Sequence, residues 1–491
     1  MTSLSDRAGF LIVASLIKYA VGFVMPMVLV RLLSQSDYGS YQQMVLIGTA
    51  AVGIMTFGLP TSIYYFYHQV VAEKLPALIA QTTILLSLAG LLALAGIWIG
   101  ADYFAATLNN PSVGMLIRIY ACSLLFLIGS EHCLHFMISE NKYGLAVTFE
   151  VAETFVRVIT LLIPIWMGFG LFGLIIGIVS YSVLRFFVRN IYLIAGSGLN
   201  FSGWRKHAFV HEQVRYSLPI AMVSLSGLLG SVINRGMLAT SFTPSSFAIY
   251  AVGALEIPLD VIFQASVANV LRASLPPLVR DGNLEEVVRI MREAVRKLSM
   301  IVLPSFIFLL GHAYQFITLL FTSNYAESVP VFKIYLWLVP LHMLVLSPIP
   351  QAFGKPKLNF YIVFAMTALL IVLGYILLKT IGFYGPAIAA VSVQYVQVGL
   401  YFVVILRLTK STLIQLMPFA HIVRVILAGT VSLLASFLVD SLTGSALANL
   451  IFSGAIFSIV FSILAFAFGI CTADDKRLIK RWCNKVFSIP A

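Results

Sequence analysis

The sequence predicts an all-α polytopic membrane protein with about fourteen spanning helices. Hydrophobic residues fill 60% of the 491 positions and charged residues only 10%, against about 25% charged in ordinary soluble domains. The mean hydropathy is +0.98, so the bilayer must act as solvent for most of the chain. Apolar stretches of roughly 20 residues, the length a helix needs to cross hydrocarbon, recur with no gap large enough for a separate soluble domain. They are continuous, as at 84–100, and lack the alternation of a membrane barrel.

In chain order the expected spans are 9–33, 43–67, 76–100, 113–138, 143–168, 170–195, 215–240, 246–271, 298–321, 328–351, 358–380, 382–407, 417–440 and 446–470. The first is too long for a secretion signal, contains Lys18 and Pro26, and leads straight into the next without a small-residue cleavage site. Loop charge sets the orientation, because Lys and Arg are retained on the cytoplasmic side. One set of loops and the tail carries the basic residues, among them Arg7, Lys74, Lys142, Arg205, Lys206, Arg280, Arg289, Lys355, Arg407 and Lys480. The alternate loops hold only Lys379, with Arg31 at an edge. Both termini are therefore expected in the cytoplasm, with the protein in the cell (inner, plasma) membrane. The net charge of +12 reads as topology signal, and no nucleic-acid partner is expected. Cys122, Cys133, Cys471 and Cys483 have neither metal spacing nor a disulfide pattern.

Two inner segments stand apart. The stretch 196–213, with Trp204, Arg205, Lys206 and His207, has interfacial character. The stretch 283–297 reads as an amphipathic helix with Leu284, Val287, Val288, Met291 and Val295 on one face. It serves either as a hinge between halves or as a linker resting on headgroups.

The chain also repeats itself. Residues 38–41 match 247–250, 117–120 match 332–335, and 170–173 with Ser180 match 382–385 with Ser392, at offsets of 209, 215 and 212. Each unit holds six spans, so the two units share one orientation, the parallel repeat found in transporters. The expected division is 1–200 (spans 1–6), 201–414 (spans 7–12, with the linker) and 415–491 (spans 13–14 and a basic tail).

Ionisable groups at bilayer depth cost at least about 2.5–3.5 kcal/mol on insertion scales and are functional candidates by default. Arg31, Arg185, Arg189 and Arg424 lie near span ends, where snorkelling accounts for them. Arg118 and Lys333 occupy repeat-equivalent sites near outer ends. Lys18, Arg157 and Arg235, the last beside Asn234, lie deeper and are expected to face a central cavity. A surplus of positive charge there suits a phosphate or diphosphate; pairing with carboxylates is the alternative. Glu150, Glu153 and Arg157 share one helical face, with Glu153 and Arg157 spaced for an i,i+4 pair. Glu150, Glu153 and Asp260 could carry a coupling ion, or only neutralise a neighbour. His132 and His135 have no third metal ligand placed by the sequence. No nucleotide-binding loop and no large outer loop is present, so no enzymatic role, metal or cofactor is expected.

The segment 31–41, Arg-Leu-Leu-Ser-Gln-Ser-Asp-Tyr-Gly-Ser-Tyr, resembles the end of the first span in O-antigen and polysaccharide repeat-unit flippases of the multidrug/oligosaccharidyl-lipid/polysaccharide (MOP) exporter superfamily. Ile233-Asn234-Arg235 followed by Ile249-Tyr250 resembles their span 7–8 pattern, with Asn234 where an Asp is common. Residues 317–321 with Tyr325 and Ala326 resemble the end of their ninth span. The resemblance implies two six-helix lobes alternating about a cavity lined by spans 1, 2, 7 and 8. It implies a polyprenyl-diphosphate-linked oligosaccharide as cargo, for lipopolysaccharide or other surface-polysaccharide synthesis, its tail grooved against spans 13 and 14, and ion-gradient coupling. A glycan polymerase and glycosyltransferases are the expected partners of a monomeric carrier. A lipid II flippase and a drug exporter are the alternatives within the superfamily.

Overall fold

The structure, a computed structural model, describes residues 4–197, 210–438 and 445–471. The described residues form helices and connecting turns, without strands. The interfacial residues Trp204, Arg205, Lys206 and His207, and the C-terminal tail, lie outside them.

The first helices are α1 (Leu4–Leu32), α2 (Gln35–Thr56), α3 (Leu59–Gln69), α4 (Leu75–Ile99), α5 (Ala101–Thr107), α6 (Gly114–Gly129) and α7 (Cys133–Ser139). They continue with α8 (Tyr143–Pro164), α9 (Gly170–Ser197), α10 (Val210–Ser241) and α11 (Pro244–Gly253). Next come α12 (Pro258–Arg280), α13 (Leu284–Gly311), α14 (Ala313–Phe321), α15 (Val329–Leu336) and α16 (Pro348–Ala352). The chain ends with α17 (Pro356–Ile381), α18 (Gly385–Thr409), α19 (Leu413–Leu416), α20 (Phe419–Phe437) and α21 (Ala446–Ala467).

Among the described residues, nine helical stretches are long and apolar enough to cross a bilayer, or ten with one bent pair. Two of those stretches, Tyr143–Ala195 and Pro356–Thr409, run to 53 and 54 residues, far beyond the roughly 20 that one crossing needs. The first is a hairpin. Gly168 (φ 88°) and Gly170 (φ 51°) adopt left-handed conformations that a side chain disfavours, and α9 folds back on α8. The second bears the same device at Gly382 (φ 76°), 212 residues after Gly170. The start of α2 is repeated too: Ser34 Oγ accepts the Asp37 N–H at 3.0 Å, and Thr243 Oγ1 accepts the Ser246 N–H at 3.3 Å. Such caps satisfy backbone donors that the helix itself leaves open.

By packing, the chain divides into two compact units, 1–252 with 363–390, and 253–362 with 391–491. The division differs from the one expected from sequence, near 200 and 414; α10 belongs with the first unit because it is bonded to the preceding helices at both ends. At one end Gln213 is fully buried; it receives the Gln81 amide at 2.8 Å and donates to Ser62 and Thr82 at 2.9 Å each. At the other, Asn109 donates to the Thr240 carbonyl at 2.7 Å and Gln43 to the Ala239 carbonyl at 3.4 Å. Residues that loop charge assigns to one side of the membrane thus meet at one end of the unit. Between these anchors α10 bends by 60° after Pro219, where proline removes a backbone donor.

In the second unit, the amphipathic stretch 283–297 is not a separate segment. It forms the first half of α13, which runs unbroken from Leu284 to Gly311. Asn283 caps it by accepting the Glu286 N–H at 3.2 Å. Val287, Met291 and Val295 are buried, as their shared face predicts, and Leu298 and Val302 continue that stripe. Arg292 donates to the carbonyls of Ile414 and Gln415 at 3.0 and 2.9 Å, tying α13 to the end of α19. Beside it, Arg296 pairs with Glu293 at 2.7 Å.

The α8–α9 hairpin is closed by small residues. A Cβ on Gly177 would collide with the Thr160 carbonyl, and one on Gly173 would lie 2.9 Å from Pro164 O. Gly177→Val should cost about 1–3 kcal/mol through overpacking. A thermal-unfolding midpoint in detergent that does not fall would contradict the close approach.

Candidate functional site

A cavity of about 300 Å³ lies within the first unit, walled by α1, α2, α8, α9 and the break between α6 and α7. Seven ionisable side chains line it: Lys18, Arg157, Arg185 and Arg189 against Glu131, Glu150 and Glu153. Tyr41, Gln42 and Tyr181 supply further polar atoms, while Met25, Pro26 and Leu161 make the apolar part of the wall.

The helix break explains how so much charge is held here. The chain turns between Gly129 and Cys133, freeing the Ser130 carbonyl from helical bonding. Arg189 occupies that acceptor with Nη1 at 3.0 Å. Its other nitrogens form a fork with Glu153, Nε to Oε1 and Nη2 to Oε2, each 2.7 Å. Arg185, one turn earlier, pairs with Glu131 at 2.5 Å and reaches Glu153 at 3.9 Å. Arg189 is 3% exposed. The expectation that Arg185 and Arg189 snorkel is therefore corrected. Carboxylates on α8 and in the α6–α7 break meet them inside the protein.

The i,i+4 pair expected between Glu153 and Arg157 is also replaced, because the fork with Arg189 uses both Glu153 oxygens. Arg157 is exposed to the cavity and makes no ion pair or side-chain hydrogen bond among the described residues. Lys18 reaches from α1 to Glu150 on α8, Nζ to Oε1 at 3.0 Å. Its side chain is 66% exposed, so this pair is open to solvent and weakly held. The cavity thus combines a fixed network around Arg189 with two accessible cations, Lys18 and Arg157.

The other candidates fall elsewhere. Asn234 is buried on α10 and donates to the Pro386 carbonyl at 3.2 Å; its Oδ1 is buried without a hydrogen bond. Arg235 is exposed on the same helix but does not line this cavity. Arg118 pairs with Asp102 at 2.6 Å. Lys333 is exposed on α15. Arg31 donates to Met27 O at 2.6 Å, and Arg424 is exposed on α20. Asp260 falls in α12, and its side chain lies outside the described residues. His132 is buried with Nε2 2.9 Å from Thr83 Oγ1, and the His135 ring packs at a tilt of 48° against Tyr64. No group of three or more His, Cys, Asp or Glu side chains suited to a metal is found among the described residues.

Residues 4–277 match the family model described as polysaccharide biosynthesis protein. The chain belongs to this family. Its fold is that of the MOP exporter superfamily. It is similar to a lipid II flippase MurJ in an inward closed conformation, with a TM-score of 0.67 and 16% identity over 92% of this chain and 98% of that one. An inward-facing multidrug resistance MATE transporter of the MOP superfamily gives 0.64 and 15% identity, covering 81% and 96%. A MOP superfamily transporter from Pyrococcus furiosus, whose binding pocket is described as having reversed polarity, gives 0.54 and 14%, covering 82% and 95%. No curated protein sequence matches the chain. The chain is a multi-pass membrane protein.

The network makes unequal demands on its members. Removing one partner of a buried ion pair costs about 3–5 kcal/mol, because the other charge is stranded. Arg189→Gln or Glu153→Gln alone should lower the detergent unfolding midpoint strongly, and Lys18→Ala should barely move it. Equal effects would contradict the division between a fixed network and accessible cations.

Proposed function

We propose that the protein is a flippase that moves a polyprenyl-diphosphate-linked oligosaccharide from the cytoplasmic to the outer leaflet by alternating access. The observation that carries this reading is the cavity's charge pattern. Its carboxylates are engaged with Arg185, Arg189 and Lys18, leaving Arg157 uncommitted and Lys18 exposed. A diphosphate supplies oxygens for both, and guanidinium suits its geometry. Membership of a polysaccharide biosynthesis family supports a glycan on that diphosphate. Cell-surface polysaccharide such as O-antigen is the product this cargo serves, in the inner (plasma) membrane with both termini cytoplasmic. Arg235, Asn234, Arg118 and Lys333 are proposed contacts for the cargo in other conformations or at the route's ends.

The likeness of fold to a lipid II flippase favours a second reading, a peptidoglycan precursor as cargo. A cationic drug as cargo is disfavoured, since cations outnumber carboxylates in the cavity.

For coupling, Glu150 is better placed than Glu153, whose two oxygens are held by Arg189. A diphosphate drawing Lys18 away would release the Glu150 carboxylate to take up an ion.

In cells lacking their own flippase, Arg157→Ala at normal membrane abundance should lower glycan export about tenfold or more, the loss of one charged hydrogen bond. Arg157→Lys should keep part of it, and Arg235→Ala should also reduce export. Wild-type export by Arg157→Ala would sink the diphosphate argument. Glu150→Gln should weaken the dependence of transport on the ion gradient, and an unaltered dependence would remove Glu150 from the coupling role.

A further inference from the structure

The outward face of α3 has a composition that hydrocarbon does not explain. Thr61, Tyr64, Tyr65 and His68 fall at i, i+3, i+4 and i+7, one side of the helix, and all four are exposed. The opposite side, with Leu59, Ser62, Ile63 and Phe66, is buried. On α4 of the same unit the exposed mid-span positions are Leu88, Leu91 and Leu92, as expected of a face against lipid tails. Hydroxyls, phenols and an imidazole within a span point instead to water or a polar ligand.

Helix α10 extends this surface. Tyr216 stacks on Tyr65, with ring centroids 4.4 Å apart and planes 15° from parallel, and meets Phe66 edge-on at 5.6 Å. One turn before Tyr216, the buried amide of Gln213 is bonded to Gln81, Ser62 and Thr82. That cluster fixes α10 against α3 and α4, so the stacked rings are held from behind. Tyr64 joins the surface to the charged cavity. Its ring packs on His135 at 5.1 Å, one turn from Glu131 and beside Leu134, which both line the cavity. Glu150, a third lining residue, is within electrostatic reach of Tyr64. Tyr64, Tyr65 and Tyr216 are 41%, 44% and 36% exposed, and their hydroxyls make no hydrogen bond among the described residues.

The geometry points to a sugar-binding platform, in which Tyr64, Tyr65 and Tyr216, with Thr61 and His68, receive the glycan of the transported lipid. The inference rests on the cargo reading above and adds which residues meet the sugar. A pyranose has a face of C–H groups and a rim of hydroxyls. Tyrosine suits both, with an apolar ring and a hydroxyl that donates and accepts. Tyrosines near a membrane surface also anchor helices against headgroups. An anchor has apolar side chains below it, whereas the exposed position one turn deeper on α3 is Thr61. Loop charge assigns this end of α3 to the cytoplasmic side, from which the proposed cargo enters.

The test measures binding to full-length protein in nanodiscs with two probes. One is polyprenyl-diphosphate oligosaccharide extracted from the cells that make it, and the other is the bare polyprenyl diphosphate. Wild-type protein should hold the glycosylated lipid about tenfold more tightly than the bare one. Tyr65→Leu and Tyr216→Leu, at an unchanged unfolding midpoint, should erase most of that preference without altering affinity for the bare lipid. Tyr65→Phe, which keeps the ring, should retain part of it, and Arg157→Ala should weaken both lipids alike. If Tyr216→Leu lowers the midpoint, Tyr64→Leu, outside the stacked pair, carries the same expectation. Equal weakening of both lipids by the leucine variants would make the tyrosines headgroup anchors and overturn the platform. An undiminished preference in those variants, or none in the wild type, would overturn it and leave the cargo reading standing. Failure of the wild type to bind either lipid would remove the cargo reading and the inference with it.

Discussion

The fork between Arg189 and Glu153 is the interaction on which the first unit's architecture turns. An isolated ion in hydrocarbon is costly, and a single carboxylate would leave guanidinium donors without acceptors. Here the two Glu153 oxygens and the Ser130 carbonyl supply three acceptors at 2.7–3.0 Å. That requires the break between α6 and α7, since a continuous helix would have used the Ser130 carbonyl itself. It also requires the α8–α9 hairpin, which brings positions 153 and 189 together. Helix break, hairpin and buried charge are one arrangement seen from three sides.

From that arrangement follows the contrast that gives the cavity its chemistry. A fork occupying both Glu153 oxygens leaves Arg157, one turn along the same face, without its nearest carboxylate. The neighbouring Glu150 is taken by Lys18 from α1, in a pair open enough to exchange. A site that binds and releases an anionic headgroup needs cations that are held in place by the backbone but not neutralised. Burial of the Arg189 network fixes α8, and α8 presents Arg157.

Much of the fold could be read from residue order alone, since the bilayer requires long apolar helices and admits few alternatives. The hairpin turns were marked by glycines at 168, 170 and 382, and the repeat by matching segments whose caps and turns coincide in the structure. The site was legible in part. Glu150, Glu153, Arg157 and Lys18 do meet in one cavity, because a helical face and a mid-span lysine are local features. Depth along their own helix does not reveal how Arg185 and Arg189 are held, because their partners come from across the hairpin and from the α6–α7 break. The register could have shown this: with the turn at 168–170, Glu153 falls opposite 185–189. The unbroken α13 was hidden for a different reason, as its charged first half looks like a surface linker until Arg292 is seen bonding to the end of α19.

The central claim is that uncommitted cations in the first unit carry an anionic lipid across the membrane. Its most direct test is leaflet exchange in proteoliposomes containing a short-chain polyprenyl-diphosphate oligosaccharide, scored by access of an added lectin or glycosidase to the sugar. The wild-type protein is predicted to move this lipid, the Lys18→Ala/Arg157→Ala double variant to move little of it, and neither to move an uncharged polyprenyl glycoside. Equal exchange by the wild type and the double variant, or equal movement of the uncharged lipid, would contradict the account.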